Sequence, residues 1–385
     1  MSETDIKTAG ERKNIMKRVL VFGMTENPGG MESVIMNYYR HIDRSKIQFD
    51  FLCNSYEKVA YEEELLALGG RTFHFPARSR DFLKYKRELD VFFRKHASEY
   101  SAIWVNICSL ANIDYLIEAK KYGIPKRIIH SHNSQNMDGK LRGLLHEHNK
   151  KRIAQYATDF WACSEDAARW FYEEKLLPEV EIIHNAIDVD RVRFDGAARR
   201  KIREQLGWEN EYIIGNIGRL HFQKNQAFIL DIFRGVLKEK SDARLVLVGQ
   251  GEDEQMLKDK IRTYGLEEQV RMVGVQSDIP AWLSAFDLFL FPSRFEGMPL
   301  ALMEAEANGL PVLLSKDVIP ETVKINQNVV FQSLESGSSA WKKQLLNMAE
   351  YEKREEPEKI KENFVQAGYE IGHEVKRFEM LMMEK

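Results

Sequence analysis

Cysteine is scarce in this chain. Its three residues, Cys53, Cys108 and Cys163, lie far apart and form no Cys-x-x-Cys pair. That argues for a reducing cytosol and against a zinc site. No apolar run approaches the roughly 18 residues of a membrane span. The charged start, Met1 to Lys17, lacks an apolar core of signal-peptide length. A cytoplasmic protein is therefore expected. No Gly-x-Gly-x-x-Gly fingerprint is present, which counts against NAD. Excess charge is missing too: the net charge is −3, so nothing global points to nucleic acid. Short-period repeats and low-complexity tracts are absent.

The chain does have enough length and apolar content for two cores. Its 385 residues are 44% hydrophobic and 30% charged, as in globular proteins. Strand-like runs at Arg18–Gly23, Phe49–Cys53, Arg71–Phe75, Ala102–Ile107, Arg127–His132 and Phe160–Cys163 alternate with helical patterns. The second half repeats this at Tyr212–Gly218, Arg244–Gly249, Val270–Val275, Leu288–Pro292 and Pro311–Leu314. Strand alternating with helix predicts parallel sheets covered on both faces. The expected architecture is α/β, two Rossmann-like doubly wound domains facing a cleft. Residues 1–187 would form the first and 188–365 the second, with a strand-free hinge around Asn185–Gly196. Residues 366–385 would form a helix crossing back to the first domain.

The most telling segment is Phe295-Glu296-Gly297-Met298-Pro299-Leu300-Ala301-Leu302-Met303-Glu304, which sets two carboxylates eight positions apart across a helix entry. Pro299 suits the first helical position and Gly309 the stop. The helix N-terminus favours an anion such as phosphate. A carboxylate on each side of an anion site is costly unless it holds something, and sugar hydroxyls are suitable donors. Glu306 on the same helix is assigned to solvent. Arg219 and Lys224 follow a strand ending at Gly218, where a doubly wound domain places ligand groups. A planar fork and a point charge both suit a diphosphate.

Several further groups are weaker signals. Gly29-Gly30 lies between a strand and a helix, so Gly30 would let backbone approach phosphate or acceptor; Pro-Gly-Gly is also an ordinary turn. His130 and His132 share one face of a strand end without an evident third metal ligand. Asp188-Val-Asp190 matches an Asp-x-Asp metal motif only formally, and no metal or cofactor is expected. Turns at Gly249-Gln-Gly251 and Val273–Gln276 line the same cleft edge as Arg219. Arg78–Lys95 carries seven basic residues among Phe82, Tyr85, Phe92 and Phe93. It fits an amphipathic helix with a charged outer face, or one lying on an anionic membrane surface.

Together, Glu296-x7-Glu304, Gly218-Arg219-Leu220 with Gln223-Lys224-Asn225, and Asn185-Ala186-Ile187-Asp188 resemble the retaining glycosyltransferase family of GT-B fold often called family 4. The resemblance covers most of the chain. Arg127-Ile-Ile-His-Ser-His-Asn133 is similar to members that build bacterial capsule and exopolysaccharide. The resemblance implies a nucleotide diphosphate sugar as donor, a UDP-sugar by its exopolysaccharide relatives. It implies a glycan or lipid-linked acceptor. Glu296 would contact the donor sugar and Glu304 the ribose hydroxyls. Backbone at Gly297 and Met298 would reach sugar oxygens, and at Leu300 and Ala301 phosphate. His132 would approach the transferred sugar, and Val275 would sit near the nucleobase. Asn106 stands where relatives carry a histidine, a departure that bears on the acceptor. The rivals are a nucleotide-sugar epimerase of the same fold and a non-catalytic nucleotide-sugar-binding subunit.

Overall fold

The computed structural model describes residues 16–133, 139–296, 299–316, 318–319, 321–351 and 353–384. Seven parallel strands form the first sheet: β1 (Lys17–Phe22), β2 (Ile47–Cys53), β3 (Thr72–His74), β4 (Ala102–Ile107), β5 (Lys126–Ser131), β6 (Asp159–Ala162) and β7 (Val180–Ile182). The second has six: β8 (Tyr212–Ile217), β9 (Ala243–Val248), β10 (Val270–Met272), β11 (Leu288–Phe291), β12 (Val312–Ser315) and β13 (Val329–Gln332). Their spatial orders are β3-β2-β1-β4-β5-β6-β7 and β10-β9-β8-β11-β12-β13. Both are Rossmann-like and doubly wound. Each reverses its winding beside its first strand, between β1 and β4 and between β8 and β11, which opens a crevice at the carboxyl ends.

Local composition explains the central strands. Ile103, Trp104 and Val105 in β4, and Leu288 to Phe291 in β11, are fully buried. Uninterrupted apolar runs suit parallel strands covered on both faces. The edges differ. β7 and β13 each extend a sheet beyond the strands expected from sequence. Phe160–Cys163 is therefore not the last strand of its half. Both edge strands are short and only partly buried; Glu181 interrupts β7, whereas β13 is apolar over Val329, Val330 and Phe331.

The linking segment is packed rather than open. Ala186, Ile187, Val189 and Val192 are buried, and Ile187 bridges Glu370 in a parallel pair. Beyond it, helices Pro357–Ala367 and Ile371–Met383 part at Gly368. The last helix crosses to the first sheet. Phe378 stacks on Tyr38 with centroids 4.4 Å apart and meets Trp104 at 5.0 Å. Arg377 Nη1 donates to Ile182 O at 2.6 Å, and Lys17 Nζ to Met383 O at 2.8 Å. One contiguous apolar core thus joins the first sheet, the linker, the C-terminal helices and one face of the second sheet.

Candidate active site

The loop after β8 is fixed by backbone approach. Leu220 N donates to Gln250 O at 3.0 Å, and Asp253 N to Leu220 O at 3.0 Å. A Cβ at Gly249 would lie 2.1 Å from Gly218 O, and one at Gly251 2.2 Å from Leu220 O. Both glycines are therefore required for two strand-end loops to touch. The same loop is tied across to the one after β11. Arg294 N donates to Gln223 O at 2.8 Å, and Asn225 Nδ2 to Pro292 O at 3.1 Å.

Between these ties sits an ion pair. Lys224 Nζ lies 2.7 Å from Glu296 Oε1, with side chains only 16% and 6% exposed. The ammonium also stands 4.9 Å from the Phe291 ring centroid. An ammonium has three N–H donors, so one bond to Glu296 leaves capacity for an anion. Arg219 faces elsewhere: its guanidinium is held in a bidentate ion pair with Glu252, and both are exposed. Sequence grouped Arg219 with Lys224 and did not anticipate Glu252.

Helix Leu300–Ala307 begins one residue later than expected, because Pro299 takes the capping position at φ −78°, ψ 102°. Leu300 and Ala301 are thus the first helical residues, and their N–H groups precede any acceptor one turn back. Gly297 and Met298 lie outside the described residues. Glu304, further along, is half-buried, and its carboxylate accepts no hydrogen bond among the described residues. Desolvation pushes its pKa up to about 7, opposed by the Arg191 cation. Glu306 is not solvated as expected. It is fully buried, and its Oε2 accepts from Ile325 N at 2.9 Å and Asn326 N at 3.0 Å. Burial pushes it up to about 8.

Across the cleft, the first sheet presents neutral groups. His132 follows β5, and its Nε2 lies 2.8 Å from Asn106 Oδ1 on β4. Desolvation pushes its pKa down to about 3. His130 is fully buried, accepts from Trp104 Nε1 at 3.3 Å, and has its ring centroid 4.1 Å from that of His132. Gly30 is the first residue of helix Gly30–His41, where an added Cβ would meet nothing within 4 Å. Val275 is 52% exposed beside Gln276, which accepts from Trp282 Nε1 at 3.1 Å.

Other candidates have local partners. Asp188 caps helix Val189–Val192 and pairs with His41 at 3.2 Å, while Asp190 pairs with Lys361 at 2.5 Å. On helix Phe82–His96, Tyr85, Phe92 and Phe93 are core residues, leaving Phe82 and Leu83 exposed. Arg78 and Lys86 pair with Asp114, and Arg94 with Asp90. No described helix is long and apolar enough to cross a membrane.

A family model described as Glycosyl transferases group 1 matches residues 198–365, and one described as Glycosyltransferase Family 4 matches residues 28–191. EpsF of Bacillus subtilis, a protein named as a glycosyltransferase, is 32% identical over 374 residues, covering 93% of this chain and 94% of that protein. The chain belongs to the family 4 glycosyltransferases. The capsular polysaccharide biosynthesis glycosyltransferase CapH of Staphylococcus aureus is 25% identical, with coverage of 78% and 81%. Among solved structures, Anabaena HepE in complex with UDP-glucose superimposes with a TM-score of 0.76 at 18% identity, over 95% of this chain and 99% of that one. That likeness concerns the two-domain fold. For this glycosyltransferase, the cleft between the two switch points is the natural place for donor and acceptor.

Proposed function

We propose that this glycosyltransferase moves a hexose, with retention, from a UDP-sugar to a hydroxyl of a glycan or lipid-linked acceptor in polysaccharide biosynthesis. The carrying observation is the recessed Lys224–Glu296 ion pair after the first and fourth strands of the second sheet, with Glu304 on the helix that follows Glu296. Residues 188–365 hold the donor and residues 1–187 present the acceptor, with residues 366–385 tying the two. Glu304 accepts the ribose hydroxyls, and Glu296 keeps Lys224 aimed while contacting the sugar. Val275 lies near the base, and Gly30 leaves room for phosphate or acceptor. HepE has been solved in complex with UDP and with UDP-glucose, and CapH is named for capsular polysaccharide; both favour this donor and this product class.

As the sugar–oxygen bond breaks, negative charge grows on the leaving diphosphate. Lys224 and the N–H groups of Leu300 and Ala301 are fixed donors that favour that state over the ground state. Arg219 joins them by leaving Glu252, an exchange made easy because that exposed pair is weak. No resident metal is needed in this scheme, so EDTA leaves turnover unchanged. Retention follows from acceptor attack on the face the leaving group departs from, with a donor phosphate oxygen taking the acceptor proton. His132 borders the transferred sugar.

A panel of nucleotide sugars, scored by thermal stabilisation and by product formation, tests the proposal. The expected hit is a UDP-sugar that stabilises the wild type and loses that effect in Lys224→Ala and Glu304→Ala. Donor binding without any product would instead identify a non-catalytic subunit. The exposed Phe82 and Leu83, flanked by basic residues, are the surface through which a lipid-linked acceptor is approached. Liposomes of anionic lipid that fail to bind the intact protein would remove that part.

A further inference from the structure

We propose that Asn106 is a positioning residue: it locks the His132 ring in its Nε2–H form, so that Nδ1 offers only a lone pair to the cleft and selects a hydroxyl that donates. The lock is read from two contacts. Asn106 is fully buried, and its Nδ2 donates to Phe22 O at 3.2 Å. A carbonyl oxygen only accepts, so the amide cannot be turned around, and Oδ1 must face His132. That oxygen is also acceptor-only, and it lies 2.8 Å from His132 Nε2. The proton on the ring is therefore at Nε2. Burial disfavours adding a second one, which leaves Nδ1 unprotonated near neutral pH. Among the described residues no hydrogen bond reaches Nδ1.

The surrounding strands hold this arrangement. In β4 and β5, Trp104 and Asn106 address His130 and His132 in turn. Trp104 Nε1 donates to His130 Nδ1, and the His130 ring lies under that of His132. Gly23, at φ +142°, follows β1 directly beside Asn106. A Cβ there would lie 2.7 Å from Asn106 Cβ and 2.9 Å from Ile35 Cδ1. Only glycine lets the ends of β1 and β4 close far enough for Phe22 O to hold the amide.

The consequence rests on the proposed placement of His132 against the transferred sugar. A lone pair binds a hydroxyl through its hydrogen. Replacing that hydroxyl with hydrogen or with fluorine removes the donor equally, whereas an N–H at Nδ1 would tolerate fluorine better than hydrogen. Asn106 would thus act on specificity without touching the substrate.

Two measurements test this. Protein labelled with 15N-histidine is examined by tautomer-resolving NMR at neutral pH, with His132→Gln identifying the signal. The expected wild-type pattern is protonated Nε2 and bare Nδ1, shifting toward the other tautomer in Asn106→Leu. A protonated Nδ1 in the wild type, or no change in a folded Asn106→Leu, overturns the lock. Should Asn106→Leu not fold, the wild-type spectrum alone decides. The second measurement compares mono-deoxy and mono-fluoro donors. At the position where the penalty vanishes in His132→Ala, both analogues should lose about tenfold in kcat/KM. A fluoro donor that restores the rate overturns the acceptor role of Nδ1. An Nε2–H signal with no His132-dependent position supports the lock and refutes the placement of His132 beside the sugar.

Discussion

At the carboxyl ends of β8 and β11 the candidate side chains are charged, with Lys224 on Glu296, Arg219 on Glu252, and the Glu304 carboxylate without a hydrogen bond among the described residues. At the ends of β1, β4 and β5 they are neutral: Asn106, His130 and His132 over a floor of Trp104. The two sheets are wound alike, so winding does not set this contrast. The residues that follow each strand do. A charged rim suits a diphosphate and a neutral one suits hydroxyl groups, so one scaffold used twice supplies two unlike walls to one cleft.

The largest expected effect tests whether the walls are separable at all. Phe378→Ala removes the ring that the C-terminal helix packs against both Tyr38 and Trp104. A loss of about 3–5 kcal/mol in denaturant unfolding is expected. If stability is unchanged, the first sheet does not depend on that helix. Next, Lys224→Ala should lower kcat on the order of 10²–10³-fold, about 3 kcal/mol of barrier. Steady-state kinetics that show only a raised KM would remove the charged wall from the chemistry.

Glu306 sharpens the contrast through stability. Burial pushes its folded pKa up to about 8, above the ordinary carboxyl value of 4.5. The folded protein therefore holds a proton between those values that the unfolded chain has released. The stabilisation is complete below 4.5 and is lost as pH rises through 8. Glu306→Gln should flatten that fall in melting temperature. For Glu304, whose pKa is pushed up to about 7, accepting ribose hydroxyls requires the carboxylate. Calorimetry should show UDP affinity rising with pH by up to about tenfold per unit below 7, then levelling. Glu304→Gln should abolish that slope. The smallest effect is expected from Glu252→Ala, which frees an exposed Arg219 and should shift donor KM only slightly; a large drop in kcat would make Glu252 part of the site.

Much of the fold was legible because central parallel strands are continuous apolar runs. β4 and β11 could be placed to within a residue. Val180–Ile182, broken by Glu181, and the four-residue Val329–Gln332 were not expected, because each is too short to stand out as a run. Glu306 was misplaced because local sequence shows neither the loop that covers it nor the two amides that satisfy it. On Phe82–His96 sequence left an amphipathic helix and a membrane-surface helix open; three of its four aromatics face the core and Phe82 stays exposed. Asn106 carried a usable signal, an amide inside the apolar run Ala102–Ile107, where a buried polar group requires partners.

Sequence by itself established alternating strands and helices, two sheets, and the charged residues after β8 and β11, because these follow from periodicity and short spacing. Tertiary structure alone decided that Lys224 meets Glu296, 72 positions away, that Asn106 meets His132, and that Phe378 completes the first core. Such contacts depend on strand order and on how far two chain ends approach, and neither is written in any local stretch of residues.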